Sequence, residues 1–219
     1  MTRLSAAELQ QLIKQGEVIS ELTLDNLDLR GCDLSGGIFQ EVSLVGGNLQ
    51  GANLKETVFT ECQLIQVNLN NARLEQTVFN QCEMTELQVT DTRLTEIIFN
   101  QCQLTGSDFS RCALFTTQFM QCELEKSQLN QAIFERCLFF ESPLKACRFD
   151  NCKSLLTTFY GIDLRQTSLT AGEFERTIFF NCDQRGKNYE RQHFTGCQFT
   201  DCALDEVLFN GAQLVQCNF

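Results

Sequence analysis

The sequence predicts an all-β solenoid of about ten four-sided coils, closed at its N-terminal end by a short helix. Three observations carry that expectation. Leucine or phenylalanine fills nearly all of the 40 positions stepped by five from Leu24 to Phe219, and only Ser154 and Gln184 are clearly polar, with Tyr189 amphipathic. Two places before each centre sits, in most cases, a small or β-branched residue, as in Cys32, Gly37, Val42, Gly47, Ala52, Thr57 and Cys62. Every fourth centre is phenylalanine, without exception from Phe39 through Phe59 and Phe79 to Phe219.

A period of five with two inward positions fits neither the 3.6-residue turn of a helix nor the alternation of an ordinary strand. Twenty residues then make one turn with four sides of five residues. Residue n lies over residue n + 20, and each Phe stacks on the next at roughly the 4.8 Å spacing of paired strands. Ten such coils give a rod about 45 Å long.

Taken in order, residues 1–20 read as a capping helix with its lead-in and residues 21–219 as the repeat array. Ser5-Ala6-Ala7-Glu8 has the form of a capping box, and Leu9, Leu12 and Ile13 share one helical face, so this helix lids the first coil. Two stretches strain the pattern. Around Ser142 to Leu156, Pro143 has no N–H for the ladder and Ser154 replaces a core leucine. Between Asn181 and His193 the inward positions include Gln184, Lys187 and Gln192, which predicts a bulged or looped coil. At the other end Phe219 is itself a core centre, so the last coil is expected to meet a cover.

Segments such as Ala52-Asn53-Leu54-Lys55-Glu56 and Cys32-Asp33-Leu34-Ser35-Gly36 resemble the consensus of the pentapeptide-repeat proteins: a small residue, Asp or Asn, Leu or Phe, then two polar residues. The resemblance covers about nine tenths of the chain. It implies a right-handed quadrilateral β-helix, the handedness coming from the resemblance alone.

Composition narrows function. With 28 acidic and 17 basic residues, a net charge of −11, the chain is not built to hold nucleic acid on a basic surface. One histidine, His193, excludes His-based triads and multi-His metal sites, and it falls on an outward position. All thirteen cysteines occupy the small inward position and no CxxC occurs, so they read as core filler rather than metal ligands or a disulfide framework. No phosphate-binding loop, dinucleotide fingerprint or nucleophile elbow is present, and the pairs Glu83/Glu86 and Glu123/Glu125 read as solvated charge. No catalytic, cofactor or metal residue is assigned. The start has no apolar signal-peptide core and no stretch reaches membrane-spanning length, which points to a reducing, cytoplasmic setting without membrane contact.

Function must then lie on the outside of the rod. On the Phe face, the residues just before the centres, Ile38, Val58, Val78 and Ile98, and those just after them later in the chain, Met120, Phe140, Tyr160 and Phe180, trace an oblique apolar stripe that reads as a protein interface. Residues 1–110 carry 15 acidic and 6 basic side chains, whereas residues 111–219 carry 13 and 11. A rail of negative charge that includes Glu41, Glu61, Glu83 and Glu86 would suit a protein that itself holds DNA. The family resemblance adds two precedents: DNA-mimicking, gyrase-binding resistance proteins, and partners of bacterial toxins or type VI secretion systems. The chain lacks the C-terminal dimerising helix and long projecting loops of the gyrase protectors. The expected role is therefore a non-enzymatic, stoichiometric partner or inhibitor, immunity- or adaptor-like, of a toxin, nuclease or topoisomerase-like protein. A DNA-mimic resistance protein and a self-assembling spacer, dimerising through the stripe or the C-terminal end, are the alternatives.

Overall fold

The computed structural model describes residues 4–219. Met1 to Arg3, part of the expected lead-in, lie outside the described residues. The helix Ala6–Lys14 opens on the capping box: Glu8 N donates to Ser5 Oγ at 3.3 Å and Ser5 N donates to Glu8 Oε2 at 2.8 Å. Leu9 is fully buried, Leu12 and Ile13 pack on the core, and Asp33 N donates to Gln10 Oε1 at 2.9 Å, tying the lid to the first coils. Gly37 permits this approach, since a methyl group there would lie 3.3 Å from Ile13 Cδ1 and 2.9 Å from the Leu34 carbonyl.

The rest is a right-handed quadrilateral β-helix. Its five-residue sides arise from a repeated corner. The residue two places after nearly every centre has left-handed backbone, as in Asn26 (φ 54°), Glu41 (φ 53°) and Gly46 (φ 66°). On many corners the next residue, small and inward, closes the turn on the carbonyl of the centre, as Ala52 N does on Leu49 O at 3.0 Å. Each corner N–H donates instead to the following coil, as Glu41 N does to Thr60 O at 3.0 Å. The left-handed corner thus places one donor in the turn and one along the rod axis.

Strands pair in parallel with a shift of twenty residues. A ten-stranded sheet on the Phe face runs from Val18–Ser20 to Gln198–Thr200, and its first strand already lies within the lead-in. An eight-stranded sheet on the fourth face runs from Leu74–Glu75 to Gln213–Val215. The second and third faces are joined by single-residue bridges such as Ser43 to Gln63 and Asn48 to Asn68. Inside, the rings of Phe39 through Phe219 form one file, successive centroids 4.7 to 5.2 Å apart and planes within 14°. Phe109, Phe134 and Phe149 meet this file close to edge-on.

The cysteines do fill the inward corner, and they also hydrogen-bond there. Cys82 Sγ donates to Phe59 O at 3.5 Å, twenty-three residues back, as Thr57 Oγ1 does to Leu34 O at 3.0 Å. Cysteine, serine and threonine are interchangeable because each supplies a small body and one donor. Burial pushes the Cys112 and Cys147 thiols up to about 12.

Of the two strained stretches, the first breaks as expected. On the second face the bridges stop at Gln103 to Glu123 and resume at Asp163 to Asp183, skipping Pro143. Ser154 is buried and satisfied by Thr177, the two hydroxyls 2.9 Å apart. The second stretch corrects the expectation. Asn181 to His193 does not loop out; Asp183 bridges both Asp163 and Ala203, and His193–Thr195 stays in its sheet. Gln184 and Gln192 are buried and Lys187 is half-buried, each with a partner instead. Lys187 Nζ donates to Thr167 O, and Gln192 Nε2 donates to Leu169 O. The disturbance is confined to the third face, where bridges run through Arg148 to Ser168 and resume at Asn188 to Leu208.

Candidate partner-binding surface

Parallel pairing in register turns outward residues into columns. On the Phe face Ile38, Val58, Val78 and Ile98 occupy successive rungs of one column. Met120, Phe140, Tyr160 and Phe180 occupy successive rungs of the other. The outer rings of Phe140, Tyr160 and Phe180 stack at 4.9 and 5.2 Å with planes 17° and 8° apart, a second aromatic file on the solvent side of the sheet. Ile38 is 46% exposed, and the rest of the stripe is half-buried because each residue covers its neighbours along the column. Leu138 and Ile178 widen the stripe on the rungs of Phe140 and Phe180.

The four acidic residues fall on one face and its two flanking corners. Glu41 and Glu61 stack with Glu21 on one corner, all at φ 53°, above a shallow recess of about 440 Å³ lined also by Val42, Ser43 and Gln63. Glu83 lies on the second face between Gln63 and Gln103, and Glu86, on the next corner, accepts from Gln66 Nε2 at 2.7 Å. Among the described residues none of these four enters an ion pair. The basic residues of the second half are largely engaged: Arg165 and Arg185 both contact Asp183, at 3.2 and 2.6 Å. The Arg185 guanidinium foremost holds the Asp183 carboxyl down to about 2.

A groove of about 370 Å³ on the fourth face escaped the sequence reading. It runs between Ile133, Lys153, Glu173 and His193 on one column and Glu135, Leu155, Glu175 and Thr195 on the other. Lys153 pairs with Glu173 at 3.0 Å, and Ile133 is 45% exposed. From two rungs earlier, Arg93 reaches over the Phe115 ring of the intervening rung at 4.1 Å. The signal in the sequence is the run of residues on either side of the fourth-face centres, Ile133, Lys153, Glu173 and His193 before them and Glu135, Leu155, Glu175 and Thr195 after them. His193 lies outward as expected and forms part of this lining.

A family model described as the pentapeptide repeat region matches residues 32–109 and, one coil further on, residues 52–129. Residues 32–129 are thereby a pentapeptide-repeat region. No curated protein matches it in sequence. Among solved structures it is similar to HetL, a pentapeptide-repeat protein involved in heterocyst differentiation regulation from the cyanobacterium Nostoc sp. strain PCC 7120, at 12% identity and TM-score 0.56, over 95% of this chain and 94% of that one. It is likewise similar to full-length QnrB1, a plasmid-mediated fluoroquinolone resistance protein, at 15% identity and TM-score 0.57, over 90% and 91%. At these identities the likeness is one of fold. Among the described residues no helix is long and apolar enough to cross a membrane.

Proposed function

We propose that this protein is a non-enzymatic binding rod that seats another protein on the apolar stripe of its Phe face. The observation that carries the reading is the outer aromatic file Phe140–Tyr160–Phe180, flanked by Leu138 and Ile178. A flat sheet whose β-propensity alone was at stake would be served by Val and Thr; three stacked rings place large, rigid apolar area where a partner can desolvate it. The partner class is a bacterial toxin or a protein that acts on nucleic acid, held stoichiometrically in an immunity- or adaptor-like role, with no nucleic acid, cofactor or membrane bound directly. The test is a pull-down from a lysate containing candidate toxins, nucleases and topoisomerases, with wild type and a Phe140→Asp/Phe180→Asp variant, beside light scattering of both. Loss of a toxin or nuclease from the variant supports the reading. A wild-type dimer that the variant disrupts, with no foreign protein lost, supports the self-assembling spacer instead.

A second reading rests on a separate observation, the carboxylates of Glu41, Glu61, Glu83 and Glu86, none in an ion pair among the described residues, on one face of the N-terminal half and its two flanking corners. Carboxylates repeating at about 4.8 Å along a narrow rod offer a DNA-holding protein, a gyrase-like topoisomerase among them, a line of negative charge in place of phosphates. Changing all four to glutamine weakens such binding most at low salt. Unchanged affinity at low salt rejects DNA mimicry and leaves the apolar stripe untouched.

A further inference from the structure

Gln184 and Tyr189 interrupt the leucine and phenylalanine centres on consecutive sides of one coil, and both side chains are fully buried. Tyr189 Oη donates to Gln184 Oε1 at 2.6 Å. That bond fixes the amide with its nitrogen pointing the other way, where Nε2 donates to Cys202 Sγ at 3.6 Å. Two polar groups have therefore been placed in the core in an order that ends on one sulfur. The earlier cysteines of the same column, Cys62, Cys82, Cys102 and Cys122, are sealed in the core, whereas Cys202 is half-buried.

Cys182 lies one coil beneath Cys202. The two are register neighbours, because Asp183 bridges Ala203 and Ala203 N donates to Cys182 O at 3.0 Å. Neighbouring rungs are about 4.8 Å apart, inside the Cα separation that disulfides span. In the middle of the column every sulfur is clamped between coils above and below, which opposes the required torsion. Cys202 is only half-buried, and its thiol donates to Phe179 O at 3.3 Å and Thr200 O at 3.5 Å.

We infer that Cys202 is the oxidant-reactive thiol of this protein, and that Cys182 resolves its oxidised form as a Cys182–Cys202 disulfide. The oxidant is a hydroperoxide. The Cys202 thiolate attacks one peroxide oxygen; the O–O bond breaks, hydroxide or alkoxide leaves, and the sulfur becomes a sulfenic acid. Cys182 sulfur then attacks Cys202 sulfur, the S–O bond breaks, and the departing hydroxide takes the Cys182 proton as water. The charges around the thiolate agree with this assignment. The Cys182 thiol foremost, then a backbone donor of Cys182 and the Gln184 amide, lower Cys202 against burial and the Asp201 carboxylate, while Cys182 itself is pushed up.

The experiment is maleimide labelling and dilute hydrogen peroxide treatment of the folded, full-length protein, read by intact mass and peptide mapping. Near neutral pH Cys202 is expected to label roughly fivefold or more faster than the other half-buried thiols, Cys32 and Cys217. Peroxide is expected to give a disulfide linking Cys182 to Cys202. Cys182→Ser leaves a dimedone-trappable sulfenic acid on Cys202, and Cys202→Ser removes both products. Gln184→Leu, which restores the ordinary core residue, moves the pH profile of Cys202 labelling upward while the fold is kept. Labelling of Cys202 no faster than of Cys32 and Cys217, or a peroxide-formed disulfide that omits either partner, overturns the inference.

Discussion

Gln192 Oε1 accepts the backbone N–H of Gly172 at 2.8 Å, while its Nε2 donates to the carbonyl of Leu169. On many corners the inward N–H closes directly on the centre, as Gly37 N does on Leu34 O at 3.1 Å, and on a few it donates to a hydroxyl twenty residues ahead, as Cys122 N does to Ser142 Oγ at 3.0 Å. Here the amide of Gln192 is inserted into that bond, and the absence of a side chain on residue 172 makes the space. A methyl group on Gly172 would lie 2.7 Å from Phe174 Cε2 and 3.2 Å from Gln192 Oε1. Gly172→Ala is therefore expected to cost about 1–3 kcal/mol of stability in urea or thermal unfolding. Adding Gln192→Thr recovers part of that loss, because threonine at the inward corner donates to the carbonyl twenty-three residues back, as Thr57 does to Leu34. Strict additivity of the two changes would show that residues 172 and 192 are not coupled.

The file of ten rings predicts that its middle is unforgiving. Phe119 is fully buried between Phe99 and Phe139, with centroids 5.0 and 4.8 Å away, and Phe109 is set edge-on against it. Phe119→Ala leaves a cavity that neighbours held by two ladders cannot collapse into, at a cost of about 3–5 kcal/mol. Phe219→Ala, at a ring that is 59% exposed and stacked on one side only, costs well under half as much. Chemical denaturation of the two variants side by side checks the order.

Asp150 ties two coils together on the third face. Its Oδ1 accepts from Ser168 Oγ at 2.5 Å, Thr170 Oγ1 at 2.6 Å and Thr170 N at 3.1 Å, and its Oδ2 accepts from Arg148 Nε at 3.1 Å. Burial raises the carboxyl, but these donors outweigh it and the net displacement is downward. A carboxylate depressed on folding contributes stability that is whole above its unfolded value near 4 and fades as pH falls through the lower folded value. Asp150→Asn should lower stability at pH 7 by about 1–2 kcal/mol and have progressively less effect below about pH 4. A wild-type-minus-variant difference that stays level from pH 7 to pH 2 would contradict this.

The coil geometry was readable because its cause is periodic. A centre every five residues and a phenylalanine every twenty leave one way to bury both series, so the Phe39-to-Phe219 file was expected ring by ring, and the capping box at Ser5 and Glu8 is a local signal of the same quality. The left-handed corners went unread although Gly31, Gly36, Gly46 and Gly51 mark them, because glutamate, glutamine and asparagine fill most of the others. Gln184, Lys187 and Gln192 were misread for a different reason. Each looked like a buried cost in isolation, and each is satisfied by a partner fixed by register: Cys202 eighteen residues ahead, Thr167 twenty behind, Leu169 twenty-three behind. Gly172, twenty residues before Gln192, was the available clue. The stripe was legible as columns, but the stacking of Phe140, Tyr160 and Phe180 required the ring orientations.

Lys187 supplies the last test, since it alters the ladder itself. Its ammonium occupies Thr167 O, the carbonyl that the repeat would pair with the N–H of Asn188, just as Ser127 O takes Arg148 N at 3.1 Å and Cys147 O takes Ser168 N at 2.8 Å on earlier rungs. Burial lowers the Lys187 ammonium, and the Asp150 carboxylate only partly offsets it. A lysine depressed on folding binds its proton less firmly in the native state than in the unfolded one, so stability rises with pH between the folded value and the unfolded value near 10. Lys187→Ser installs the residue type found at positions 107 and 127 of the same column, frees Thr167 O for Asn188 and removes that alkaline gain. Hydrogen exchange is expected to show the amides of Leu169, Ala171 and Asn188 exchanging faster in the wild type than those of Phe149, Asn151 and Ser168 one rung earlier. In Lys187→Ser the first set slows toward the second. If the two sets exchange alike in the wild type, the third face is not open at this rung and Lys187 is merely accommodated by it.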